Sequence, residues 1–146
     1  VYSDIEAFFY GAAVHPFSSI PLYPGVIELL DGLRADGYRL GALSDFPCDD
    51  KISLLGLDGK FDIAMTSEET GLVKPDRASF DLLARRMGVR NDEVLYVGNS
   101  EAYDVRGALG AGMRAALIAR KRPADTAAEF TFFDFRELGA YIRSLR

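Results

Sequence analysis

The chain has 146 residues, of which 49% are hydrophobic and 27% charged, the profile of one globular domain with room for a sizeable core. A formal net charge of −5 and a pI near 4.9 argue against a nucleic-acid or anionic-membrane surface. No run approaches the roughly 18 uninterrupted apolar residues of a membrane helix, and the single cysteine, Cys48, excludes an internal disulfide, so a reducing, cytoplasmic setting is expected.

Taken in chain order, "SDIEAFFYGAAV" (3–14) reads as a short helix with a strongly apolar face, and "HPFSSIPLYPG" (15–25), with three prolines, as a hinge. Pro24 and Gly37 bracket a helix in which Val26, Leu29, Leu30 and Leu33 keep helical spacing. "YRLGALS" (38–44) is a short strand, residues 48–57 a helix, and "FDIAMTS" (61–67) a second strand. An amphipathic helix over 76–88 closes at Gly88, and "EVLYVGN" (93–99) forms the third strand. Residues 101–112 predict a helix, 114–119 a strand, 129–133 a last strand and 134–145 a last helix. Strands alternating with helices predict a parallel sheet covered on both faces, an α/β fold of Rossmann-like type. In such sheets ligands bind outside the carboxyl ends of the strands.

The polar residues at those ends are Ser44 and Asp45, then Ser67 and Glu68, then Asn99, Ser100 and Asp104, with Lys74 in the loop "GLVKPD". A hydroxyl, an ammonium, and an amide with a carboxylate form an inventory suited to a phosphate and a hard cation. Each also has a plain structural use. Strand-end Ser and Asp cap the next helix, Lys74 alone would be a surface lysine, and Asp104 alone a first-turn acid.

Jointly, "YPGVIELLDGLRADGYRLGALSD", "FDIAMTSEETGLVKPDRASF" and "VLYVGNSEAYDVRGALGAGM" resemble the second, third and fourth motifs of the haloacid dehalogenase (HAD) superfamily. The order is right, with 30 residues from Ser44 to Lys74 and 25 from Lys74 to Asn99. The resemblance implies residues 1–22 as the tail of a small helical cap with its hinge, and residues 23–146 as the HAD-like core. It implies Ser44, Asp45 and Lys74 as phosphate-binding residues, Ser44 and Lys74 among them acting in catalysis. Asn99 and Asp104 would hold Mg²⁺, and Phe9, Tyr10 and His15 would lie at the mouth under the cap. The implied substrate is a small phosphorylated metabolite.

Two departures bear on the chemistry. Asn99 stands where the family usually has Asp, removing one negative charge from the cation's surroundings. The family's first motif, Asp-x-Asp-x-Thr/Val, which supplies the nucleophile, has no match: neither "SDFPCDD" nor "FFDFREL" fits. In the family that motif rides on a central strand, between the one ending at Ser44 and the one ending at Asn99. The expectation is therefore that this chain is the C-terminal part of a longer protein, and that its 146 residues alone are inactive. Three functions follow: a Mg²⁺-dependent phosphatase acting through an aspartyl-phosphate, a metal-independent 2-haloacid dehalogenase-like hydrolase, and a non-catalytic domain binding a ligand or partner.

Overall fold

The computed structural model describes residues 20–121 and 125–145. Its first helix, α1 (Val26–Ala35), starts after Gly25, whose φ of 81° is reserved for glycine, and buries Val26, Leu29 and Leu33. There follow β1 (Gly41–Ser44), the short α2 (Asp49–Leu54), and β2 (Ile63–Thr66) with a 3₁₀ turn at Ser67–Thr70. Helix α3 (Arg77–Met87) is capped by the Asp76 carboxylate, which accepts from the Ala78 N–H, and ends at Gly88 with φ 66°. The remaining elements are β3 (Leu95–Gly98), a π-turn (Glu101–Val105) running into α4 (Arg106–Gly110), β4 (Arg114–Ile118), β5 (Phe130–Phe132) and α5 (Phe135–Ser144).

All the strand pairs are parallel: Gly41–Ser44 beside Ile63–Thr66, Leu95–Gly98 beside Arg114–Leu117, and Ala116–Ile118 beside Phe130–Phe132. They form two pieces of sheet, β1–β2 and β3–β4–β5, and no ladder joins β1 to β3 among the described residues. Side chains of the larger piece alternate between two cores. Tyr96, Ala115 and Leu117 pack with α3 and α4, while Leu95, Ala116 and Ile118 pack with α1 and α5. Helices thus cover both faces, as the buried-strand pattern predicts.

Helix α3 ties the two sheet pieces together. Phe80 and Ala84 enter the core over β3, β4 and α4, and Leu83 and Met87 enter a second cluster with Met65, against Leu43 and Ile63. The spacing i, i+3, i+4, i+7 puts all four on one stripe, wide enough to touch both pieces. Phe80 is fully buried, with its ring 4.9 Å from that of Tyr96 in an edge-on contact.

The predicted helices over 48–57 and 101–112 are shorter or broken. The second opens as a wide turn because the Ser100 carbonyl accepts from both the Asp104 and the Val105 N–H, at 2.9 and 3.1 Å. The cap residues of the sequence reading, Phe9, Tyr10 and His15, lie outside the described residues, as does most of the segment read as cap and hinge.

Candidate active site at the strand carboxyl ends

Each site residue leaves a strand end where parallel-sheet geometry gathers ligand groups. Ser44 is the last residue of β1, with Asp45 next; Ser67 follows β2; Asn99 and Ser100 follow β3. Lys74 comes from the loop before α3 and is joined to Pro75 by a cis peptide bond.

Lys74 is the hub. Its ammonium donates to Asp104 Oδ1 at 2.7 Å and lies 3.8 Å from Asp45 Oδ2, and its side chain is only 12% exposed. Its backbone N–H donates to Asp45 Oδ1 at 3.1 Å, and the fully buried Ser67 hydroxyl donates to that same oxygen at 2.8 Å. Asp104, buried, accepts at Oδ2 from the N–H groups of Asn99 (3.1 Å) and Ser100 (3.0 Å). The two carboxylates therefore fix one ammonium between the loop after β1 and the loop after β3. The buried Tyr96 phenol lies 3.5 Å from Lys74 Nζ; burial first, then the Asp104 and Asp45 charges, push its pKa up and keep it protonated.

Ser44 Oγ accepts from the Phe46 N–H at 3.1 Å and from Lys51 Nζ at 2.8 Å. Lys51, on α2, also sits 5.5 Å from the centre of the Phe46 ring. No motif in the sequence marks it. Its only sequence signal is a lysine seven positions after the strand-end serine, which is indistinguishable from a solvated helix lysine.

Two glycines fit the site by having no side chain. A Cβ on Gly98 would stand 2.2 Å from Asp104 Cβ, and one on Gly107 would stand 2.6 Å from the Phe80 ring and 3.1 Å from Pro75 Cα. The first lets the π-turn fold Asp104 back under the end of β3. The second lets α4 press on the loop that carries Lys74.

The donor set for Mg²⁺ is thin. Asn99, exposed, offers a neutral amide, and Asp104 already accepts from an ammonium and two N–H groups. No group of three or more His, Cys, Asp or Glu side chains converges among the described residues. Hard, octahedral Mg²⁺ favours free carboxylate oxygens, so these residues as arranged do not fit the ion. The resemblance implies Asp104 as a metal ligand; in the structure its Oδ1 accepts from Lys74 Nζ at 2.7 Å. An open cleft of about 620 Å³ lies alongside, walled by Tyr23, Asn99, Glu101, Ile118, Arg120 and Phe133 among others, and shares only Asn99 with the residues singled out in the sequence.

A parallel α/β core with serine, lysine and acidic groups at its strand ends is the frame of a hydrolase of the kind the motifs suggest. The chain belongs to the haloacid dehalogenase-like hydrolases, whose family model matches residues 5–112. It is 38% identical over 112 residues to a glyceraldehyde 3-phosphate phosphatase of Methanopyrus kandleri, covering 75% of this chain and 48% of that protein. Among solved structures it resembles a HAD phosphatase from Thermococcus onnurineus (TM-score 0.77, 32% identity, 83% of this chain and 58% of that one). It also resembles a 2-haloacid dehalogenase from Pseudomonas syringae (TM-score 0.79, 27% identity, 91% and 58%). The chain spans about half the length of the curated relatives it matches.

Proposed function

We propose that the protein carrying this chain hydrolyses small phosphomonoesters at the Ser44–Lys74 site. The observation that carries the reading is the Lys74 ammonium, only 12% exposed along its side chain and held between Asp45 and Asp104 at the strand ends, next to a loop whose serine offers a hydroxyl. A fixed ammonium and a fixed O–H donor stabilise the charge of a transferring phosphoryl group without reorganising during the reaction. Asp45 acts on Lys74, which it holds, and does not touch the anion, since a carboxylate and a phosphoryl oxygen repel.

The nucleophile is an Asp on a further strand that fits between β1 and β3. What supports this is the division of the sheet into β1–β2 and β3–β4–β5, with no ladder between β1 and β3 among the described residues, and Val97 on β3, 37% exposed. Buried parallel strands do not ordinarily leave inner edges open. The Asp carboxylate attacks phosphorus, the P–O bond to the leaving alcohol breaks, and the alkoxide takes a proton from solvent water, to which the attacking water of the next step returns one. Water then attacks the aspartyl-phosphate, releasing inorganic phosphate and restoring the carboxylate. Phe46 and Val73, each 60% exposed, and Leu72, 48% exposed, form an apolar rim on which a cap would close. The relatives named as phosphatases of a triose phosphate favour a three-carbon phosphate ester. The Mg²⁺ requirement that the resemblance implies finds no fitting site on these residues, and no step above passes through a cation.

The second reading, a metal-independent 2-haloacid dehalogenase, is favoured by Asn99 in place of a carboxylate and by the likeness to the Pseudomonas enzyme. The test is turnover with two substrate panels, small phosphate esters and 2-haloacids. The phosphatase reading expects phosphate release alone. Halide release without phosphate release supports the second reading, and neither release supports a binding domain.

A further inference from the structure

The cluster at the end of β1 contains a cation that neither the motifs nor the comparisons single out. Lys51 Nζ donates to Ser44 Oγ at 2.8 Å, and the Phe46 N–H donates to the same oxygen at 3.1 Å. A serine hydroxyl has two lone pairs and one proton. With both lone pairs taken, Ser44 is left a donor only, and among the described residues nothing accepts its proton. An ammonium on the oxygen also polarises the O–H bond and strengthens it as a donor.

Charge points the same way. Lys74 is outnumbered by Asp45 and Asp104, so those three groups together carry one negative charge. That balance would repel an incoming phosphate. Lys51, held on α2 beside Ser44, brings the four groups to neutrality.

Resting on the phosphatase reading above, we propose that Lys51 is a positioning residue for the phosphoryl group: it acts through Ser44, fixing that hydroxyl as a dedicated donor and cancelling the excess negative charge around Lys74.

The test uses the full protein and inorganic phosphate as the probe. Its competitive inhibition constant, with KM and kcat, is measured for wild type, Lys51→Met, Lys51→Arg, Ser44→Ala and the Ser44→Ala/Lys51→Met double variant. Lys51→Met is expected to weaken phosphate about ten- to hundredfold, the size of a lost charge-assisted hydrogen bond. Lys51→Arg should retain phosphate within about threefold, because it keeps both charge and donor. In the Ser44→Ala background the Lys51→Met loss should shrink to within about threefold, since residues acting through one another are non-additive. Should Lys51→Met fail to fold, Lys51→Gln is read in its place. A phosphate constant unchanged by Lys51→Met while wild type turns over, or a full loss in both backgrounds, overturns this proposal alone. A wild-type protein that neither binds phosphate nor hydrolyses its esters overturns it together with the phosphatase reading.

Discussion

Lys74 and Asp104 are 30 positions apart in sequence and 2.7 Å apart in space, an ammonium and a carboxylate paired where two strand-end loops meet. Both side chains are nearly buried, at 12% and 7% exposure, so neither has water to fall back on. Removing Asp104 leaves Lys74 with only its longer, 3.8 Å pairing to Asp45 and takes the acceptor from the Asn99 and Ser100 N–H groups. Asp104→Ala is therefore expected to lower unfolding stability in urea by about 2–3 kcal/mol. A loss under about 1 kcal/mol would mean the pair is solvated and the site looser than described.

Gly98 sets how closely that carboxylate can approach. Since an added Cβ would lie 2.2 Å from Asp104 Cβ, Gly98→Ala must push Asp104 off the Asn99 and Ser100 N–H groups. Overpacking of this kind costs about 1–3 kcal/mol, and displacing a positioning group by about 1 Å can cost about a hundredfold in rate. Steady-state kinetics on a folded Gly98→Ala variant check this. Wild-type kcat/KM would show that the turn absorbs the methyl group.

Lys51 gives the site a pH signature. Burial first, and then the Lys74 charge, lower its pKa, against opposing contributions from Cys48 and Asp45. A lysine with a lowered pKa sheds its proton below the usual 10.5, so activity that needs the ammonium is full on the acid side of that step and falls as pH rises through it. The pH profile of kcat/KM should show an alkaline limb below pH 10.5 that moves upward in Lys51→Arg. A limb unmoved by that substitution belongs to another group.

Asn99 is a test of the cation. Replacing it with Asp restores a carboxylate at the end of β3 beside the cleft. Because affinity for hard cations follows ligand charge, Asn99→Asp is expected to gain Mg²⁺ binding in calorimetric titration that the wild-type residues do not give. Mg²⁺ binding of equal affinity in the two proteins would place the cation on other residues.

Much of this was legible in the sequence because it depends on chain-local patterns. Apolar runs bounded by Gly and Pro marked the strands and helices. Strand-end placement gathered Ser44, Asp45, Ser67, Glu68, Asn99, Ser100 and Asp104 with Lys74 in a nearby loop, and the resemblance to the HAD motifs narrowed them to Ser44, Asp45, Lys74, Asn99 and Asp104. What those residues do to one another was hidden. A spacing of 30 residues does not reveal that Lys74 lies on Asp104, nor that Asp45 braces Lys74 from the other side together with the buried Ser67. The π-turn after Ser100 has the composition of plain helix, because its cause is the Ser100 carbonyl accepting from two successive N–H groups, a contact with no periodicity in the sequence. Lys51 was invisible for a similar reason: a lysine on a short polar helix looks solvated until the fold turns it onto Ser44.

The most direct test of the central claim is kcat/KM for release of inorganic phosphate from a small phosphate ester by wild type and by Lys74→Met. If a fixed ammonium at this site stabilises the transferring phosphoryl group, the variant should lose about a thousandfold or more while still folding, as removal of a preorganised charge does elsewhere. A variant within about tenfold of wild type would contradict the assignment of the site, because the ammonium held by Asp45 and Asp104 would then be doing little for the reaction.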